Sequence, residues 1–237
     1  MNKGKKIILF LVLCLSGFFA KAQEKQERSD AWFLLLNHYN INEKWSVGNE
    51  FHWRQTNFLS DKSQLILRPF VNYKINKNVI ATAGYSYLLN FADTNPASDV
   101  NLPEHNIWEQ VTLKHSSGKL KFSHRYRVEH RFRGTYNADL TEIEEYKFTN
   151  RGRYRLTLKH PIGEKYFVHV FDELWFNLGE NFDQVDFDRN WLYLGLGRKV
   201  FDHGNIQLGY VHQYIKSNND LYFVRPTVQL TVQYDFN

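Results

Sequence analysis

The chain has 237 residues, 43% of them hydrophobic, 16% aromatic and 23% charged, with 14 Tyr, 19 Phe and 6 Trp. Its mean hydropathy is nevertheless −0.53, so apart from one short N-terminal stretch no apolar run could span a bilayer as a helix, and the aromatic content is too high for a disordered chain. The formal charge of +5 comes from 30 Lys+Arg against 25 Asp+Glu, and its source is local.

Lys3, Lys5 and Lys6 precede the apolar run Ile7 to Leu15, which leads to Ala20-Lys21-Ala22. A basic start, a short apolar stretch and an Ala-x-Ala ending describe a cleaved secretory signal over residues 1–22, with 23–237 left as one domain. The run is too short for a helical anchor. Leu13 occupies the place where a lipidation signal ahead of Cys14 needs a small residue. Removing Lys3, Lys5, Lys6 and Lys21 from the 30 basic residues leaves 26 against 25 acids. The sequence pI of about 9.1 is thus largely the signal's, and a nucleic-acid partner loses its support. The remaining chain has no Cys, so it has neither disulfides nor thiolate metal sites, and nothing in it implies a cofactor.

From Asp30 onward the hydrophobic period is two. Eleven segments read as strands: about 31–40, 44–55, 63–74, 78–89, 105–115, 119–133, 145–159, 165–176, 189–200, 205–215 and 221–236. The alternation is strictest in 120–133. Leu120, Phe122, His124, Tyr126, Val128, His130 and Phe132 share one face, and Lys121, Ser123, Arg125, Arg127, Glu129, Arg131 and Arg133 the other. Residues 146–159 repeat it, with Arg151, Arg153 and Arg155 opposite Gly152, Tyr154 and Leu156. Such runs are strands and cannot be helix faces. Residues 166–176 and 190–200 are apolar on both faces, and periodicity does not phase them.

Connections alternate in length. Short ones lie near residues 41–44, 75–78, 116–119, 161–165 and 202–205, rich in Asn, Gly, Pro and Asp as tight turns require. Longer ones fall at 56–62, 90–105, 134–144, 177–188 and 216–220. Tyr39-x-Ile41-Asn42 and Tyr73-x-Ile75-Asn76 echo one another at two successive short turns. Short turns on one rim and long loops on the other are the plan of outer-membrane barrels. A soluble β-sandwich would alternate too, but globular strands run to roughly 5–6 residues and spanning strands to about 9–11; several segments here are longer still. The chain ends Tyr234-Asp235-Phe236-Asn237, which resembles the terminal aromatic signal read by the barrel-assembly machinery. The expectation is an all-β, closed antiparallel transmembrane barrel with membrane lipids as partners. Because single-chain bacterial barrels have even strand numbers, 12 strands are expected, or 10.

A lipid-facing Arg or Lys at the bilayer midplane costs about 2–4 kcal/mol, so the basic faces belong inside. The candidate lumen residues are Arg54, Arg68, Arg125, Arg127, Arg131, Arg133, Arg151, Arg153 and Arg155, with Glu50, Glu129 and Glu173 as acidic partners. Two readings stand: an internal ion-pair network in place of an apolar core, or a path for small anionic solutes where arginines exceed their partners. The long loops are acidic (Asp139, Glu142, Glu144, Glu145; Glu180, Asp183, Asp186, Asp188), without the spacing of a calcium loop. Hydrolysis would need a Ser or acid beside a His. Ser123 and His124 lie on opposite faces, whereas His169 and Glu173 share one with Asp172 between them. Trp32, Trp45, Trp53, Trp108 and Trp191 are expected as interfacial anchors.

The strand Asp30-Ala31-Trp32, the runs Trp45-Ser46-Val47-Gly48-Asn49-Glu50 and His124 to Phe132, Asp172-Glu173-Leu174-Trp175-Phe176-Asn177 and Leu194-Gly195-Leu196-Gly197 resemble the domain-of-unknown-function 2490 family of Gram-negative outer-membrane proteins. The resemblance spans most of the mature chain. It implies a β-barrel in the outer membrane and carries no established activity, catalytic residue, cofactor or ligand. Arg125, Arg127, Glu129, Arg131 and Glu173 are the lumen positions it picks out. The sequence therefore points to a porin-like or structural envelope barrel. A barrel enzyme acting on lipid or peptide, or a surface adhesion or assembly barrel, are the alternatives.

Overall fold

The computed structural model describes residues 29–94, 97–200, 202–217 and 221–236; the signal expected over residues 1–22 lies outside them. The described residues form one closed barrel of eleven strands: β1 Asp30–Asn40, β2 Trp45–Thr56, β3 Asp61–Lys74, β4 Val79–Asn90, β5 Leu102–Ser117, β6 Leu120–Tyr136, β7 Ile143–Ile162, β8 Tyr166–Gly179, β9 Asp186–Val200, β10 Gly204–Lys216 and β11 Tyr222–Phe236. A single 3-10 turn, Ala92–Thr94, interrupts the loop after β4.

All eleven expected segments are strands, and the even count is the part that fails. Each strand is antiparallel to its chain neighbours, so with an odd number the first and last run the same way. The ring closes through a parallel pair, from Asp30 against Thr227 to Tyr39 against Phe236. Closure needs an unbroken ladder around the wall, and parallel pairing supplies one.

The short turns follow from their asparagines. Asn42 Oδ1 accepts from the backbone N–H of Lys44 and Trp45, both at 2.9 Å, and Asn76 Oδ1 accepts from Asn78 at 2.8 Å and Val79 at 3.0 Å. The Tyr-x-Ile-Asn echo is the same side-chain-closed turn used twice. At the other rim, the segment between β2 and β3 is only four residues, with Asn57 and Phe58 in left-handed backbone. The loop after β4 is tied to the one after β6 by Ser98 Oγ donating to Leu140 O at 2.7 Å and the Tyr136 hydroxyl to Val100 O at 3.0 Å.

The outward face carries Phe33, Leu67, Ile107, Leu194, Leu208 and Leu230, all exposed. The inward face is filled. Charged side chains fill most of it on β6 and β7 and Gln and Thr much of it on β10 and β11, while flat aromatics on β1, β5, β8 and β9 lie among them and need bare backbone beneath them. A Cβ on Gly195 or Gly209 would collide with the Tyr193 ring, and one on Gly84 with the Trp108 indole. Glycine on a strand here marks the close approach of a ring. This corrects the interfacial reading of the tryptophans. Trp32, Trp108, Trp175 and Trp191 are at most 7% exposed and lie inside the barrel, whereas Trp45 is exposed on the wall.

Candidate functional site: an arginine–glutamate belt across the lumen

Three adjacent strands bring most of the belt together. The register sets Arg125 beside Arg155, Arg127 beside Arg153 and Glu129 beside Arg151, and Arg155 beside Glu173. Facing arginines repel, and two glutamates offset that repulsion. Glu129 accepts from Arg153 Nη1 at 2.6 Å and from Arg151 Nε at 2.8 Å, while Arg127 stands 3.7 Å away. Glu173 accepts from Arg153 Nε at 2.8 Å and Arg155 Nε at 2.9 Å, and also from Arg125. The two carboxylates are 1% and 0% exposed, so water gives them almost nothing and the guanidinium forks must.

The opposite wall adds a third acid. Glu50 of β2 accepts from Arg68 Nη1 at 2.6 Å and lies 3.1 Å from His52 Nε2; Arg68 Nε also donates to Ser86 Oγ at 2.9 Å. Nearer the long loops, Glu104 takes a two-pronged contact from Arg131 at 2.7 and 3.0 Å. Arg133 approaches the same carboxylate at 3.5 Å and, at 57% exposure, stands at the mouth. Arg54 donates to Gln64 Oε1 at 2.8 Å.

The indoles form the belt's other half. Arg153 lies 3.6 Å and Arg151 4.5 Å from the Trp175 ring centre, Arg127 3.9 Å from Trp108, Arg54 4.0 Å from Trp32 and Arg155 4.0 Å from Phe171. Trp32, Trp191 and Trp175 continue from ring to ring at 5.0 and 4.6 Å. Desolvated guanidinium groups on indole faces gain cation–π attraction without using their N–H donors. Sequence reasoning misses Glu104 by placing it in a loop, misses Trp32, Trp108 and Trp191 by sending them to the interface, and gives Trp175 no role. The signal was available for Trp108, which keeps phase with Glu104, Asn106, Gln110 and Thr112 along β5.

Eight belt arginines (54, 68, 125, 127, 131, 151, 153 and 155) therefore meet four glutamates (50, 104, 129 and 173). Within the belt, Arg54 Nε, Arg125 Nε, Arg127 Nη1 and the indole N–H of Trp175 and Trp191 are buried donors without a hydrogen-bond acceptor; elsewhere among the described residues the acceptors Asp30 Oδ1 and Asn106 Oδ1 are buried without a donor.

The other chemical candidates separate. Ser123 lies on the inward face and His124 on the outward one, where its Nδ1 meets the Tyr154 hydroxyl at 2.9 Å. His169 is held by Gln207 Oε1 at 2.7 Å, Asp172 is engaged by Asn190, and Glu173 is taken by its three arginines. Among the described residues no group of three His, Cys, Asp or Glu is placed to hold a metal ion.

Residues 29–223 match the family described as "Protein of unknown function (DUF2490)". The chain belongs to that family. No curated protein matches it in sequence. Among solved structures it is similar to one titled "NanC porin structure in rhombohedral crystal form", with a TM-score of 0.53 over 87% of this chain and 97% of that one, at 11% identity. At that identity the likeness is one of fold.

Proposed function

We propose that this DUF2490 protein is an outer-membrane barrel whose constricted lumen passes small anions in preference to cations. The apolar outward face and the porin-like fold support the membrane setting. The surplus of buried donors carries the anion preference. Four more guanidinium groups than carboxylates, held in a desolvated belt, favour a carboxylate, sulfate, phosphate or halide that completes the pairing. The same belt narrows the path, since Glu129 and Glu173 pin five arginines across it. Conductance is expected to be small and the solutes small.

Reconstitution into planar bilayers under a salt gradient tests this reading. The expected reversal potential has the sign of an anion-preferring pore. Cation selectivity, or a barrel inserted without any conductance, would overturn it. A closed barrel with a purely structural role is the second reading, and the tight pairing of Glu129 and Glu173 favours it; the same recording separates the two.

A further inference from the structure

On the outward side of the wall an apolar groove of about 790 Å³ runs obliquely from Trp45 and Tyr73, beside the short-turn rim, to Leu178 and Val185, beside the long-loop rim. Its floor is low because Ala81, Ala83 and Gly152 present almost no side chain there. One carboxylate opens into it. Glu109 sits halfway along β5, in phase with the exposed Ile107 and Val111, and its side chain is 56% exposed.

Glu109 has a built partner. Its Oε1 lies 3.3 Å from His130 Nε2, and His130 Nδ1 lies 2.7 Å from Asn150 Oδ1. Asn150 is 1% exposed, and its amide donates to the carbonyls of Gly179 at 3.0 Å and Glu180 at 2.8 Å. With both amide hydrogens so committed, Oδ1 can only accept, and the hydrogen between the two residues belongs to His130 Nδ1. Nε2 is then the ring nitrogen that faces Glu109. Phe182, itself in left-handed backbone at φ 58°, packs edge-on to the imidazole with ring centres 6.1 Å apart.

An ionisable pair on an apolar wall is costly in lipid and marks a site. We propose that the groove seats one acyl chain of a membrane amphiphile that carries a hydroxyl part-way along the chain, and that the Glu109–His130 pair binds that hydroxyl. Glu109 lies on the row of the wall shared by Ala83 and Gly152, between the two ends of the groove, so a headgroup at the rim would miss it. A plain hydrocarbon chain would leave the carboxylate facing methylenes. The inference takes the outward face as lipid-facing and does not depend on conduction through the lumen.

The full chain, purified in detergent and equilibrated in mixed micelles with equal amounts of hydroxystearoyl- and stearoyl-phosphatidylcholine, is examined by native mass spectrometry. One retained lipid per chain is expected, with the hydroxy form enriched about tenfold, the ratio that one hydrogen bond to a charged group supplies. Glu109→Leu should keep the lipid and lose the enrichment, and Gly152→Leu should fill the groove and lose both lipids. Equal retention of the two lipids, retention of neither, or a mass of two chains with the groove closed would each overturn the proposal. Should Gly152→Leu fail to fold, the wild-type ratio and Glu109→Leu decide alone. A chain that stays in solution without detergent would overturn the membrane reading along with this one, whereas an inserted barrel with equal retention overturns this one only.

Discussion

The two sides of the lumen solve one problem with different chemistry. On β6 and β7 the inward positions of the belt are Arg and Glu, buried and cross-linked through Glu129 and through Glu173 of β8. On β10 and β11 they are Gln and Thr: Gln213 Nε2 donates to Thr227 Oγ1 at 2.6 Å, Gln229 Nε2 to Thr231 Oγ1 at 2.9 Å, and Gln207 Nε2 to Asn205 Oδ1 at 2.7 Å. Both ladders are buried, and both satisfy the same alternating strand geometry. They differ in what a single truncation leaves behind. Removing an amide leaves a neutral donor or acceptor, whereas removing a carboxylate leaves several charges in a site that water barely reaches.

Substitutions of similar volume on the two sides sharpen that difference. Glu173→Leu leaves Arg125 and Arg155 without their carboxylate and Arg153 with Glu129 alone, and is expected to cost about 3–5 kcal/mol, the range for breaking a buried ion pair; denaturant titration of the refolded barrel should show a large drop in midpoint. A loss under about 1 kcal/mol would mean that water reaches the belt. Gly209→Leu pushes the Tyr193 ring off its seat, and overpacking of this kind costs about 1–3 kcal/mol, read in the same titration. Gln213→Leu should cost about 1 kcal/mol by leaving Thr227 and Asp30 short of a donor. Thr231→Val, which removes one acceptor from Gln229, should be the mildest at about 0.5–1 kcal/mol. If Gln213→Leu proved as damaging as Glu173→Leu, the contrast between the two sides would fail.

The same contrast explains what was legible in the sequence. Where the inward face is charged, as in 120–133 and 146–159, alternation is plain and the belt residues can be phased from it. Where the inward face is aromatic, both sides of the strand are apolar. In β9, Trp191 and Tyr193 point in while Leu194 and Leu196 point out, and hydropathy cannot tell the two apart. The glycines were the usable sign there, because Gly195, Gly197 and Gly209 lie under Tyr193 and Phe167. The strand count was read from the segments correctly and then displaced by an even-number rule that a parallel seam does not obey. A single acid on an outward face, such as Glu109, is indistinguishable from noise in the sequence until His130 and Asn150 are placed beside it.

The belt holds more positive charge than its own glutamates compensate. Crystals of the detergent-solubilised protein grown in bromide and measured at the bromine absorption edge test it directly. Anomalous peaks should stand against the unpartnered donors of Arg54, Arg127 or the Trp175 and Trp191 indoles. A lumen without bromide, with peaks only at the outer loops, would contradict it.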